Sequence, residues 1–257
     1  MKGDYSMKPV TLGILGGLGP ASGVYFAQML IEHTSADRDQ EHLNFLLSSR
    51  ADTPDRTEYI LGRSECDPSL AMIEEVERLA AAGADAIAIP CNTAHYFYDR
   101  VAKATSVPIL NIIDQTVDFC RFLGAKTVGV LATEGTIRSG AYEKVLAKAG
   151  LHYLTCTECQ QKAISHLIYD EIKCGKEPDL SPLLEIAEDL RSRGADTIVL
   201  GCTELSLVKP KLPTHLPLVD SLEVLALCAI RDCGKTPVGF DSDLMKFIPV
   251  KGIHPCY

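Results

Sequence analysis

Along the chain, hydrophobic positions gather into short β-branched runs, and these alternate with amphipathic stretches of helical period. Val10-Thr11-Leu12-Gly13-Ile14-Leu15 predicts a strand, and Gly16-Gly17-Leu18-Gly19-Pro20 leads from it into a helix over 21–33, with Pro20 suited to the first helical position. A strand over 43–48 comes next, then a polar, irregular segment over 49–67 that carries Arg50, Asp52, Pro54, Asp55, Arg56 and Thr57. Segments of this kind are either functional or simply solvated. An amphipathic helix over 69–82 ends at Gly83. An apolar run over 86–89, a helix from about 94, a strand near 109–113 and a helix from 114 complete the first half. The order then returns: strand 127–131, helix 139–149, strand 152–155, helices 160–174 and 182–193, an apolar run 197–200, a short strand near 217–220 and a helix 222–233. The tail from Gly234 reads as irregular.

Two stretches repeat closely. Gly83-Ala84-Asp85-Ala86-Ile87-Ala88-Ile89-Pro90-Cys91-Asn92-Thr93 and Gly194-Ala195-Asp196-Thr197-Ile198-Val199-Leu200-Gly201-Cys202-Thr203-Glu204 share the Gly-Ala-Asp opening and a Gly-to-Cys spacing of 8. The two cysteines stand 111 residues apart, and the strands beginning at Thr11 and Thr127 stand 116 apart, which argues for a duplication. Strands alternating with helices predict a parallel α/β fold, each sheet flanked by helices. Each Cys then lies at the carboxyl end of a strand, the edge at which open α/β sheets bind ligands. A facing arrangement of the halves puts both thiols on one cleft.

Composition narrows the function. The 257 residues are enough for one large α/β domain or two of about 100–150 residues. Hydrophobic and charged fractions of 46% and 23% are ordinary for a globular chain. No apolar run approaches the ~20 residues of a membrane span, and Met1-Lys2-Gly3-Asp4-Tyr5-Ser6-Met7 carries no leader-like apolar stretch, so a cytoplasmic, membrane-free location is expected. A net charge of −9 without a Lys/Arg stripe argues against nucleic acid. A small anionic substrate then needs locally placed Arg or Lys. Ten cysteines fit a reduced compartment, with Cys120 and Cys228 read as inert core thiols. The glycines of the first loop suit an anion at a helix N-terminus, but Ser22 stands where a dinucleotide fingerprint needs its third glycine.

Two facing thiols define a chemistry. A helix N-terminus after each Cys is expected to lower its pKa. One thiolate and one thiol on opposite faces of a carbon acid can remove a proton from one side and deliver one to the other, which is stereoinversion. Asn92, Thr93, Thr203 and neighbouring backbone N–H groups are candidates to hold a substrate carboxylate and the charge that develops on it. Duplication can equally copy a structural Cys, so spacing alone leaves catalysis and packing both open. Cys156-x-x-Cys159 is a second thiol motif, open to a redox or zinc role, although no second such pair or His pair completes a zinc site.

With Pro90-Cys91-Asn92-Thr93-Ala94-His95 and Gly201-Cys202-Thr203-Glu204 in hand, the chain resembles the cofactor-independent aspartate/glutamate racemases, and the aspartate branch most. The likeness covers about 10–233 and includes the first glycine loop and Pro54-Asp55-Arg56-Thr57. Glutamate racemases usually end the second motif in His and carry Asp-Ser-Gly after the first strand, whereas this chain has Glu204 and lacks that turn. The resemblance implies two pseudo-symmetric α/β domains with the active site in the cleft between them. Their expected bounds are 8–116 plus 216–257, with the C-terminal helix returning to the first domain, and 117–215. It also implies a homodimer and no pyridoxal phosphate or metal. By motif position, Cys91 and Cys202 match the acid/base pair. Asn92, Thr93 and Thr203 match carboxylate contacts, Arg56 and Lys173 the cations that hold aspartate, and Leu18 and Glu204 further substrate contacts. The tail beyond Cys233 lies outside the likeness. The alternatives are a broader aspartate/glutamate racemase, a Cys-dependent maleate isomerase or decarboxylase-like enzyme on the same fold, or a thiol-bearing amino-acid-binding protein.

Overall fold

Two parallel four-stranded sheets of identical order organise the protein, in a computed structural model that describes residues 10–249. The N-terminal segment read above for a leader and the end of the tail lie outside the described residues. The first half runs β1 (Thr11–Gly16), α1 (Pro20–Glu32), β2 (Asn44–Ser49), α2 (Arg56–Ile60), α3 (Pro68–Ala81), β3 (Ala86–Ala88), α4 (Tyr98–Ala102), β4 (Ile109–Leu110) and α5 (Ile112–Phe122). The second runs β5 (Thr127–Leu131), α6 (Glu134–Arg138), α7 (Ala141–Lys148), β6 (His152–Thr155), α8 (Glu158–His166), α9 (Ser181–Ser192), β7 (Thr197–Leu200), α10 (Thr203–Val208), β8 (Leu218–Asp220) and α11 (Ser221–Asp232), followed by α12 (Ser242–Lys246). The sheet orders are β2-β1-β3-β4 and β6-β5-β7-β8. The expected α/β architecture with two like sheets is therefore present.

The repeated residues hold equivalent places. Asp85 accepts from Thr11 N at 2.9 Å, and Asp196 accepts from Lys126 N at 2.8 Å, so each Gly-Ala-Asp anchors the start of the neighbouring first strand. Gly83 and Gly194 lie in the left-handed region with φ of 93° and 103°, where they end the preceding helices without strain. Gly13 and Gly129 let α3 and α9 press on the sheets: a Cβ at these positions would meet Leu79 Cβ at 3.3 Å and Leu190 Cδ1 at 3.2 Å.

The helices after the fourth strands cross over. α5 leaves the first sheet and packs on α7 of the second half, while α11 leaves the second sheet and packs on α1 of the first. α5 and α11 also pack on each other, and one hydrophobic core joins Phe26, Leu30, Val117, Cys120, Val130, Leu146, Leu225 and Cys228. Cys120 and Cys228 are fully buried there, as expected of packing thiols.

Several boundaries differ from the sequence reading. The segment over 49–67 is not wholly irregular, because the Asp55 carboxylate accepts from Glu58 N and starts α2. α5 begins at Ile112 rather than 114, since Asn111 caps it by accepting from the N–H groups of Ile113 and Asp114. Pro108-Ile109-Leu110-Asn111 and Pro217-Leu218-Val219-Asp220 are thus equivalent, each ending in a capping side chain. The helix expected over 139–149 is α7, which starts after Gly140 at φ 65°, and the sequence reading lacks the short α6 that precedes it. Beyond α8 the backbone widens into a π-helical stretch, Leu167–Ile172. The tail forms α12, and Pro237 bridges to Thr34.

Candidate active site

In each half the sheet order reverses direction of winding between its first and third strands, which opens a crevice beyond their carboxyl ends. Leu18 follows β1 and Cys91 follows β3; Thr133 follows β5 and Cys202 follows β7. The two crevices face each other, and all four residues line one cavity with Asp55, Arg56, Thr57, Asn92, Thr93, Tyr169, Lys173, Thr203 and Glu204. Every residue singled out from the sequence as a site residue is brought here. Sequence reasoning missed Thr133 and Tyr169. Thr133 occupies in the second half the place of the first glycine loop, a position the repeat could have flagged; nothing in the sequence marked Tyr169. The cavity measures about 10 Å³, room for roughly one water.

Both thiols are buried, with Cys91 6% and Cys202 4% exposed. The lowered pKa expected from helix N-termini does not hold. Burial pushes the Cys91 thiol up, opposed by Arg56 and reinforced by Glu204. Burial and the Glu204 carboxylate push Cys202 well up, with Lys173 opposing. The reason is burial: desolvation outweighs the backbone N–H groups of Ala94 and Glu204, which favour the thiolates. The two thiols also differ. The Cys202 S–H donates to Glu204 Oε2 at 3.0 Å, whereas Cys91 faces the cation of Arg56.

Glu204 forms an ion pair with Lys173 through its other oxygen. Burial pulls the Lys173 ammonium down, but Glu204 and the two thiols outweigh it and the net shift is upward. Lys173 reaches the site from the end of the π-helical stretch that carries Tyr169; the ammonium lies 5.7 Å from the Tyr169 ring centroid. The backbone at Gly19 abuts this pair, and any Cβ there would collide with Glu204 Oε1. Arg56 is clamped by carbonyls: Nη2 donates to Leu18 O at 2.6 Å, and Nη1 donates to Thr53 O at 3.2 Å and Pro54 O at 3.0 Å. Its Nε is buried without a partner.

The halves are tied beneath the cavity. Tyr142 Oη donates to Asn92 Oδ1 at 2.7 Å, and Asn92 Nδ2 donates to Ser221 Oγ at 3.0 Å. Thr93 Oγ1 lies 2.9 Å from both Thr133 Oγ1 and Thr136 Oγ1. Cys156 is partly buried and Cys159 exposed, both as free thiols. Among the described residues no group of three or more His, Cys, Asp or Glu could hold a metal ion, and no helix is long and apolar enough to cross a membrane.

A parallel α/β repeat thus brings two thiols, two cations and two carboxylates to one small cavity. Residues 15–229 match the family model described as Asp/Glu/Hydantoin racemase, and the chain belongs to that family of isomerases. It is 32% identical over 219 residues to the broad specificity amino-acid racemase RacX of Bacillus subtilis, covering 84% of this chain and 94% of that protein. The Picrophilus torridus aspartate racemase structure superposes with a TM-score of 0.78 at 28% identity, covering 89% of this chain and 96% of that one. The Francisella tularensis glutamate racemase, solved with D-glutamate, has a TM-score of 0.62 at 19% identity, over 86% of this chain and 80% of that one, and shares the fold.

Proposed function

We propose that the protein is an aspartate racemase that inverts Cα between Cys91 and Cys202 without pyridoxal phosphate or metal, acting in the cytoplasm as a homodimer. One observation carries the reading: two buried thiols from equivalent strand ends line a single cavity that also holds Arg56 and Lys173. Two cations suit a substrate with two carboxylates. Arg56, held rigid by three carbonyls, anchors one of them, and Lys173 is shared between Glu204 and the other. Glu204 and Asp55 offer the substrate ammonium its only carboxylates in the lining. Asn92, Thr93 and Thr203 contribute backbone N–H groups toward the α-carboxylate, and Leu18 forms the wall.

The proton inventory closes without another reagent. A thiolate on one face takes the Cα hydrogen, and the electron pair moves onto the α-carboxylate, where N–H donors and a cation stabilise it. The thiol on the other face returns a proton to Cα. The two sulphurs have then exchanged protonation states, and the enzyme is set for the reverse direction. Before substrate binds, Cys202 holds its proton against Glu204, and Cys91 beside Arg56 is the sulphur at which a thiolate is less disfavoured.

The experiment is incubation of L-Asp and L-Glu, separately and without added cofactor, followed by chiral chromatography. D-Asp from L-Asp, with deuterium at Cα in heavy water, is the expected result; no D-Asp overturns the reading. The likeness to the B. subtilis broad-specificity enzyme favours a second reading, a wider substrate range. Comparable turnover of L-Glu and of monocarboxylic amino acids would replace the aspartate reading with that one.

A further inference from the structure

His95 follows Cys91 by four residues and is absorbed by none of the chemistry above. It is buried, 7% exposed, and its ring makes two hydrogen bonds. Nε2 lies 3.2 Å from Ile112 N, a backbone donor, so Nε2 is the acceptor. Nδ1 lies 2.8 Å from the carbonyl of Cys91, an acceptor only, so Nδ1 carries the proton. The two contacts leave one consistent state, the neutral Nδ1–H tautomer. Burial, outweighing the carbonyls of Cys91 and Leu110 and the Asp114 carboxylate, which favour the cation, lowers the pKa and favours the neutral ring. So does the start of α5 against the ring, because a helix N-terminus repels a cation. The ring also stacks on Tyr98 with centroids 5.7 Å apart, which fixes its plane.

The second half repeats the link with different atoms. Ser206, four residues after Cys202, donates to Asp220 Oδ1 at 2.6 Å, and the same oxygen accepts from Leu222 N at 2.8 Å at the start of α11. Each thiol segment is therefore tied to the first turn of the crossover helix of its own half. Those two helices, α5 and α11, pack against each other in the shared core.

We propose that His95 is a positioning residue for Cys91: its Nδ1–H tautomer ties the Cys91 carbonyl to the N-terminus of α5, and so registers the Cys91 thiol against Cys202 through the packed pair α5 and α11. The proposal rests on the two-thiol reading of the site. His95 touches no substrate. Its effect is on where one sulphur stands relative to the other, and a misplacement of about 1 Å can cost on the order of 10²-fold in rate.

Two measurements test it. Nitrogen-15 NMR of the full-length wild-type protein reads the ring directly; the expected result is a protonated Nδ1 and a bare Nε2. This arm is independent of substrate, so its failure is distinct from failure of the aspartate reading. Kinetics of His95→Ala, His95→Asn and His95→Gln read the positioning. Asn keeps a donor near Nδ1, and Gln keeps an acceptor near Nε2. Net racemisation should fall about 10–100-fold in His95→Ala with KM changed little. Cα deuterium exchange on the face served by Cys202 should fall less than inversion, and His95→Asn should recover more kcat than His95→Gln. A protonated Nε2 or a cationic ring at neutral pH overturns the proposal. So does a folded His95→Ala enzyme that racemises at the parent rate, or one in which exchange and inversion fall in step with no recovery by Asn. Should His95→Ala fail to fold, the tautomer and the Asn–Gln comparison still decide.

Discussion

The Tyr169 hydroxyl donates to Thr57 Oγ1 at 2.7 Å, joining residues 112 positions apart on opposite halves of the protein. Thr57 sits beside Arg56 in α2, and Gly135 of α6 comes so near that a Cβ there would lie 2.7 Å from Thr57 Oγ1. Arg63 Nη2 reaches Glu134 Oε2 at 3.3 Å at the same corner. These contacts close the rim of the cavity, whereas the Asn92 and Thr93 networks join the halves at its floor. Tyr169→Phe removes a hydrogen bond between the halves worth about 0.5–1.5 kcal/mol. The predicted result is a fall in kcat/KM for aspartate of about 2–10-fold with the circular dichroism spectrum unchanged. Parent kinetics in this variant would mean this bond does not support the site.

Cys91→Ala and Cys202→Ala should each abolish net racemisation, by at least about 10²–10⁴-fold, because inversion needs a base on one face and an acid on the other. Each variant keeps one sulphur, so each is expected to retain some Cα deuterium exchange with one enantiomer and not the other. Cys120→Ala and Cys228→Ala remove core atoms far from the cavity and should lower stability rather than alter the chemistry. The measurement is racemisation and exchange from L-Asp and D-Asp for all four. Racemisation at the parent rate in either of the first two would exclude a two-thiol mechanism.

Arg56→Ala deletes a buried cation whose guanidinium is held by three carbonyls. A lost charge-assisted contact of about 1.5–3 kcal/mol predicts a fall in kcat/KM for aspartate of roughly 10–150-fold. Arg56→Lys should recover little, since a single ammonium cannot satisfy carbonyls on both sides of the guanidinium. Lys173→Ala leaves Glu204 as an unpaired buried carboxylate, and Lys173→Met with Glu204→Gln should restore stability but not activity. Steady-state kinetics and melting curves of this set separate substrate anchoring from internal charge balance. Full activity in Arg56→Ala would remove it from the site.

Stability and rate should run oppositely with alkaline pH. Burial raises the thiols of Cys91, Cys202 and Cys228, and pushes Cys120 up to about 12. Unfolded thiols ionise near ~8.5. Above that pH the unfolded chain loses protons that the native state keeps, so the stability these thiols confer is fully present below ~8.5 and declines as pH rises. Racemisation requires one thiolate, and its kcat should climb over the same range. Melting temperature and kcat measured across about pH 6.5–9.5 test both signs. A melting temperature that rises on the alkaline side would show that the buried thiols ionise in the native state.

The alternation of β-branched runs with amphipathic stretches determined the parallel α/β order, because a strand buried on both faces and a helix buried on one write different periods into the chain. The matched Gly-Ala-Asp to Cys spacing determined that two thiols occupy equivalent strand ends. Local caps were partly hidden: Asp55 and Asn111 act through backbone N–H groups two or three residues on, and only the folded turn shows which polar residue takes that role. Beyond the sequence's reach was everything decided between distant segments. That α5 and α11 exchange partners across the halves depends on which helix faces fit in the shared core. Tyr169 gave no sequence signal because its role depends on Thr57, 112 residues away. The sense of the thiol pKa shifts also reversed, because desolvation belongs to the folded, buried site, although for Cys202 the nearby Glu204 carboxylate adds to it.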